Sequence, residues 1–162
     1  MSFSFVMVGE ESLTQECAAL LTARGHTLAA IVTDNQSLAD WAAGKGAPVL
    51  STGRMRGLAE VGPFDYLLSV VNLRMISHEI LELPRVASIN FHDGPLPRHA
   101  GLNAPVWALL AGDTSYGVTW HLMTAEPDRG HILEQEPASL GSPTRPESET
   151  IVTTRPFPAA TI

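Results

Sequence analysis

Short apolar runs recur along the chain, and segments with helical periodicity lie between them. Residues 3–8, 28–33, 64–71 and 86–90 are largely hydrophobic, as strands are when both faces of a sheet are covered. Leu13, Cys17, Leu20 and Leu21 fall at helical spacing before a stop at Arg24-Gly25. Leu38, Trp41 and Ala42 do the same behind a cap at Asp34 or Asn35, ending at Gly44-Lys45-Gly46. Residues 48–50 read as a short strand, 76–81 as a helical turn and 105–111 as a helix. That last helix is expected to pack Val106, Leu109 and Leu110 inward, with Trp107 in the core. Residues 116–123 and 131–136 read as a strand pair that is partly antiparallel. Strands alternating with helices predict an α/β protein, a Rossmann-like three-layer α/β/α fold with a mostly parallel sheet.

The 162 residues suit one domain with a real core. A formal net charge of −7 argues against a broad nucleic-acid surface, which needs clustered Lys and Arg. The one cysteine, Cys17, allows no disulfide within the chain and fits the cytoplasm. The first residues carry no basic region before an apolar core, so no signal peptide is read. No apolar run is long enough to span a bilayer, so no membrane partner is expected.

The chemistry concentrates in Asn90-Phe91-His92-Asp93-Gly94-Pro95-Leu96-Pro97, at the end of an apolar run. Residues two apart on a strand share a face, so Asn90 and His92 address one volume near the carboxyl edge of the sheet. Downstream, residues 117–123 lead to Pro127-Asp128-Arg129-Gly130. Amide, imidazole and carboxylate together suit attack of an amine on a carbonyl. His92 can donate to a developing oxyanion or shuttle protons, with an unperturbed pKa of about 6.5. Asn90 supplies a fixed amide donor, and Asp128 a charge partner and proton acceptor. The histidines lack compact metal-ligand spacing, so no metal is expected. Taken singly, the same residues have plainer readings. His92 could sit in the core, Asp128 in an ordinary turn, and Asp93 and Asp113 as solvated loop charges. Gly9-Glu10-Glu11 reads as a turn with an acidic helix start.

Asn90-x-His92 with Pro97, Gly101 and Pro105, then Gly117-x-Thr119-x-His121 and Asp128-x-Gly130-x-Ile132, resembles the folate-dependent formyltransferase family. The resemblance covers residues 3–136. It implies the formyltransferase fold, 10-formyltetrahydrofolate as formyl donor, and Asn90, His92 and Asp128 as the catalytic three. By the same resemblance the folate lies against Leu73, Arg74, Met75 and Ile76 and against Thr124, Ala125 and Glu126, with His121 as a contact to the Asp. Residues 92–105 most resemble the formylation domains that open nonribosomal peptide synthetases. That branch implies an aminoacyl group on a carrier protein as the acceptor.

Two departures from the family pattern stand out. Where glycinamide ribonucleotide enzymes carry a Gly-rich phosphate cradle, residues 9–12 read Gly-Glu-Glu-Ser, and acidic groups there repel a phosphate. Family members also continue past the last strand, whereas here the sequence turns rich in Pro, Ser and Thr. Residues 1–137 are therefore expected to form a shortened catalytic domain, and 138–162 an irregular tail with at best an edge strand at 149–154. Apolar surface left bare by a missing late helix would be covered by a homodimer. Alternatives left open are a formyltetrahydrofolate hydrolase, a sugar-amine or methionyl-tRNA formyltransferase, and a truncated non-catalytic folate-binding or docking module.

Overall fold

The computed structural model describes residues 1–138; Ala138, expected to open the tail, ends a strand instead, and the rest of the tail with the 149–154 strand falls outside the described residues. Seven strands form one sheet in the order β3-β2-β1-β4-β5-β6-β7. They are β1 (Ser4–Val8), β2 (Thr27–Val32), β3 (Val49–Leu50), β4 (Tyr66–Val70), β5 (Ala87–His92), β6 (Tyr116–Leu122) and β7 (Ile132–Ala138). The first five pair in parallel, while β6 runs antiparallel to both β5 and β7. The mostly parallel α/β sheet read from the sequence is therefore present, and the last strand pair is antiparallel.

Alternate residues of the central strands feed two cores on opposite faces. Phe5, Met7, Ile31, Leu68, Val70 and Ile89 form one, beneath helices α1 (Ser12–Ala23) and α2 (Gln36–Gly44). Val6, Val8, Ala30, Val32 and Leu67 form the other. It is closed by 3₁₀ turns over Thr52–Glu60, kinked at Arg54, and by the short helix α3 (His78–Leu81). Of the two cap candidates for α2, Asn35 does the work, its side chain accepting the Leu38 N–H at 3.2 Å. Among the described residues no helix is long and apolar enough to cross a membrane.

Helix α4 (Ala104–Leu110) reverses the expected packing. Ala104 and Ala108 are buried, whereas Val106, Trp107, Leu109 and Leu110 are 53–74% exposed. A Cβ on Gly94 would lie only 2.7 Å from the Ala104 Cβ. The helix thus approaches the loop after β5 too closely for any but its smallest side chains, and proximity overrides hydrophobic periodicity.

Two contacts set the strand ends. Asp65 accepts the Ser4 backbone N–H at 2.7 Å and the Ser4 hydroxyl at 2.9 Å, joining the start of β1 to the approach to β4. These bonds, Ser4 N–H first, hold the Asp65 carboxyl below the usual carboxylate range. Its stabilising effect is therefore complete above the unfolded carboxylate pKa and is lost as pH falls through its own lower value. At the other end of β1, a Cβ on Gly9 would lie 2.1 Å from the Val70 carbonyl and 2.3 Å from Thr14 Oγ1. That hydroxyl is buried and donates to the Val70 carbonyl at 2.8 Å.

Gly9→Ala is expected to cost about 1–3 kcal/mol through overpacking, read as a lowered melting temperature. Asp65→Asn is expected to flatten the acid-induced loss of stability, measured as urea midpoints between about pH 2 and pH 5.

Candidate functional site

The pairing of β5 with β6 places Asn90 opposite His121 and His92 opposite Thr119. All four lie on one face of the sheet; Ile89 and Phe91 belong to the core on the other. The strand continues through His92, so Asn90 sits within it and does not terminate it. Trp120 lies on the opposite face from His121, edge-on to Phe91 at 5.1 Å between centroids.

His121 Nδ1 is 2.9 Å from the Leu122 carbonyl, which can only accept, so that nitrogen carries the proton. The remaining Nε2 lone pair accepts from the Asn90 amide at 3.2 Å. This fixes the orientation of the Asn90 amide and leaves its second N–H unused by this contact. His92 is set in the same way. Its Nε2 donates to the His99 carbonyl at 2.6 Å, which leaves Nδ1 on the side of Asp128.

Asp128 reaches these rings from the loop between β6 and β7. Its backbone is left-handed, with φ 54°. Its Oδ2 accepts the Gly101 N–H at 2.8 Å. Its Oδ1 stands 3.7 Å from His92 Nδ1 and 3.6 Å from His121 Nε2, distances of charge proximity rather than hydrogen bonding. The His92, His121 and Asp128 side chains are 7%, 2% and 15% exposed. Gly130 makes this loop path feasible, because a Cβ there would lie 1.6 Å from the Leu122 carbonyl.

The loop after β5 is pinned from beneath. Buried Thr119 donates its hydroxyl to the Gly94 carbonyl at 2.7 Å and accepts the Leu96 N–H at 3.1 Å. Gln135 Nε2 donates to the Leu96 carbonyl at 2.7 Å and to the Thr119 hydroxyl at 3.0 Å. The Tyr116 hydroxyl donates to the Asp93 carbonyl. The Gly117-x-Thr119-x-His121 motif is the sequence signal for Thr119, whereas Gln135 carries none.

Asn90, His92, His121 and Asp128 all line one cavity of ≈ 240 Å³. Leu73, Arg74, Met75, Ile76, Thr124 and Glu126 line it as well, while Ala125 lies outside its wall. Asn72 organises this side, accepting the Arg74 N–H at 3.0 Å and donating to the Arg74 carbonyl at 2.9 Å. Arg74 itself pairs with Asp34 at 3.6 Å. Among the described residues, the non-glycine positive-φ positions are Val71, Asn103 and Asp128, and all three line the cavity. Val71, a β-branched residue at φ 50°, is the most strained of them.

Two expectations from the sequence change here. Asp113 is no solvated loop charge: its side chain is 6% exposed and paired with Arg98 and His99. Glu10 is more than an acidic helix start, since its carboxylate accepts the Thr33 hydroxyl at 3.1 Å and the Asp34 N–H at 3.0 Å. Cys17 packs against the opposite core. Burial, then Glu16, pushes its thiol up to about 11, which keeps it un-ionised at neutral pH.

The chain is 31% identical over 108 residues to the methionyl-tRNA formyltransferase of Parabacteroides distasonis, covering 64% of this chain and 33% of that protein. It spans a third or less of the curated relatives it matches. Among solved structures, phosphoribosylglycinamide formyltransferase from Bacillus halodurans superposes with TM-score 0.74 at 20% identity, covering 88% of this chain and 82% of that one. HypX from Aquifex aeolicus, in complex with tetrahydrofolic acid, gives TM-score 0.62 at 22% identity, over 85% of this chain and 21% of that one. At these identities the two structures establish a shared fold. The Formyl transferase family profile matches residues 55–145, more than half of the sequence, and the chain therefore belongs to that family.

Proposed function

We propose that this chain transfers a formyl group from 10-formyltetrahydrofolate to an amine, with Asn90, His92 and Asp128 as the catalytic residues. One observation carries the reading. An amide, an imidazole nitrogen and a carboxylate, brought from two separate parts of the sequence, line one cavity together with Leu73, Met75, Ile76 and Met123. The residues present suit a folate: residues 71–76 with Thr124 and Glu126 line the cavity and would hold a flat ring, and the polar trio lines the same cavity. When bound, the folate supplies a formyl carbonyl carried on nitrogen.

The chain's own groups then divide the work. The free N–H of Asn90 and a protonated His92 Nδ1 donate to the oxygen that gains charge as the amine attacks. Asp128 accepts the proton that the amine nitrogen loses. Asp128 passes that proton on to the departing nitrogen as the carbon–nitrogen bond breaks, so it returns to the carboxylate, His92 keeps its proton, and no net proton is consumed. His121 keeps the Asn90 amide aimed, acting as a positioning residue.

The proposed acceptor is an aminoacyl group on a carrier protein of nonribosomal peptide synthesis, supported by the resemblance of residues 92–105 to that branch. The environment of Glu10 supports an acceptor without a phosphate at the β1 edge. Its carboxylate occupies the Thr33 and Asp34 donors that an anion would use. In this reading residues 1–137 are the catalytic domain, and the single cysteine fits a cytoplasmic setting.

Incubation with 10-formyltetrahydrofolate and an aminoacylated carrier is expected to add the mass of one formyl group to the carrier. Release of formate without any acceptor, or absence of folate binding by calorimetry, would overturn the transferase reading. His92→Ala is expected to lower kcat by about 100-fold or more while leaving the folate dissociation constant within a few-fold. Asp128→Asn retains an oxygen for the Gly101 N–H, so the fold should hold. Its single-turnover rate should nonetheless fall by about 100-fold through loss of the proton acceptor.

A further inference from the structure

A second polar cluster, with His99 and Asp113 buried and Arg98 at the surface, has no member in the cavity lining. Asp113, in the loop between α4 and β6, accepts the Nε2–H of His99 at 2.6 Å through Oδ2, and its Oδ1 takes the guanidinium of Arg98. The His99 and Asp113 side chains are 9% and 6% exposed. One carboxylate therefore holds two consecutive side chains of the loop after β5. A buried carboxylate with both oxygens engaged is costly to disturb, because moving either partner strands a charge.

The main chain links this cluster to the cavity. The residue whose ring Asp113 holds, His99, offers its carbonyl to His92 Nε2 at 2.6 Å. There is little slack around the bond. A Cβ on Gly94 would lie 3.1 Å from both the His92 Nε2 and the His99 carbonyl oxygen. The direction of the His99 carbonyl decides which nitrogen of His92 bears the proton in the neutral ring. With the carbonyl in place, Nε2 is protonated and Nδ1 presents its lone pair toward Asp128. With the carbonyl displaced, the ring can rotate, and Nδ1 is no longer held on the cavity side, where its protonated form donates to the developing oxyanion.

We propose that Asp113 is a positioning residue for His92: through the ring and carbonyl of His99 it holds the imidazole in the Nε2–H tautomer. The proposal rests on the reading of His92 as the donor to the developing oxyanion.

The test is the ¹⁵N spectrum of the His92 ring in the unliganded protein near pH 8, alongside steady-state kinetics. The parent is expected to show a single Nε2–H tautomer. Asp113→Ala should give a mixture of tautomers and a kcat lower by about tenfold or more, with the KM for 10-formyltetrahydrofolate changed less than about twofold. His99→Gln keeps a side-chain N–H for Asp113 and should retain the parental tautomer, whereas His99→Leu should not; this pair decides the matter if Asp113→Ala does not fold. An unchanged His92 spectrum in Asp113→Ala, or the same spectrum in His99→Gln and His99→Leu, overturns the proposal. Because the spectrum is read without substrate, its outcome is separate from whether the chain transfers formyl groups.

Discussion

The register between β5 and β6 is the constraint on which the site depends. Pairing Asn90 with His121 and His92 with Thr119 sets two side chains of one strand beside two of an antiparallel neighbour, all on one face. A slip of one residue would turn every one of them to the opposite face and bring Phe91 and Trp120 into the cavity. The edge-on contact of Phe91 with Trp120 on the far side resists that slip. The buried hydroxyl of Thr119, bonded to the loop above it, resists it on the near side.

The character of the face changes along the sheet. Under the 3₁₀ turns and α3 it is apolar, with Val6, Val8, Leu67 and Ile80 in contact. Toward β5 and β6 it turns polar, with Ser69, Ser88, His92, Thr119 and His121 all buried. Burying so many polar groups is tolerable only if each finds a partner. They do: among the described residues no buried side-chain nitrogen or oxygen is left unsatisfied. The polar half of the face thus carries a hydrogen-bonded network that fixes ring orientations, in place of an apolar core that would fix only positions.

Much of this was legible in the sequence because it follows from local pattern. Apolar runs gave the strands, and the i, i+2 placement of Asn90 and His92 gave their common face. What the sequence concealed depends on distance through space. The helix α4 presents Ala104 and Ala108 inward against its own periodicity, because Gly94 brings the preceding loop too close for leucine. Asp113 looked like an ordinary loop charge until Arg98 and His99 folded over it. The 3₁₀ turns over Thr52–Glu60 have a weakly apolar sequence that signals neither helix nor strand, and only Met55 and Leu58 anchor them.

The hydrogen bond from His92 to a main-chain carbonyl has a consequence for traffic through the ring. A peptide oxygen is far too weak a base to take that hydrogen away, so nothing can be handed across the imidazole from one nitrogen to the other. Whatever enters at Nδ1 must leave at Nδ1. In the proposed reaction the ring is therefore a dead-end store opening on the cavity alone, and its exchange with bulk water comes by the same mouth that would admit the reactants.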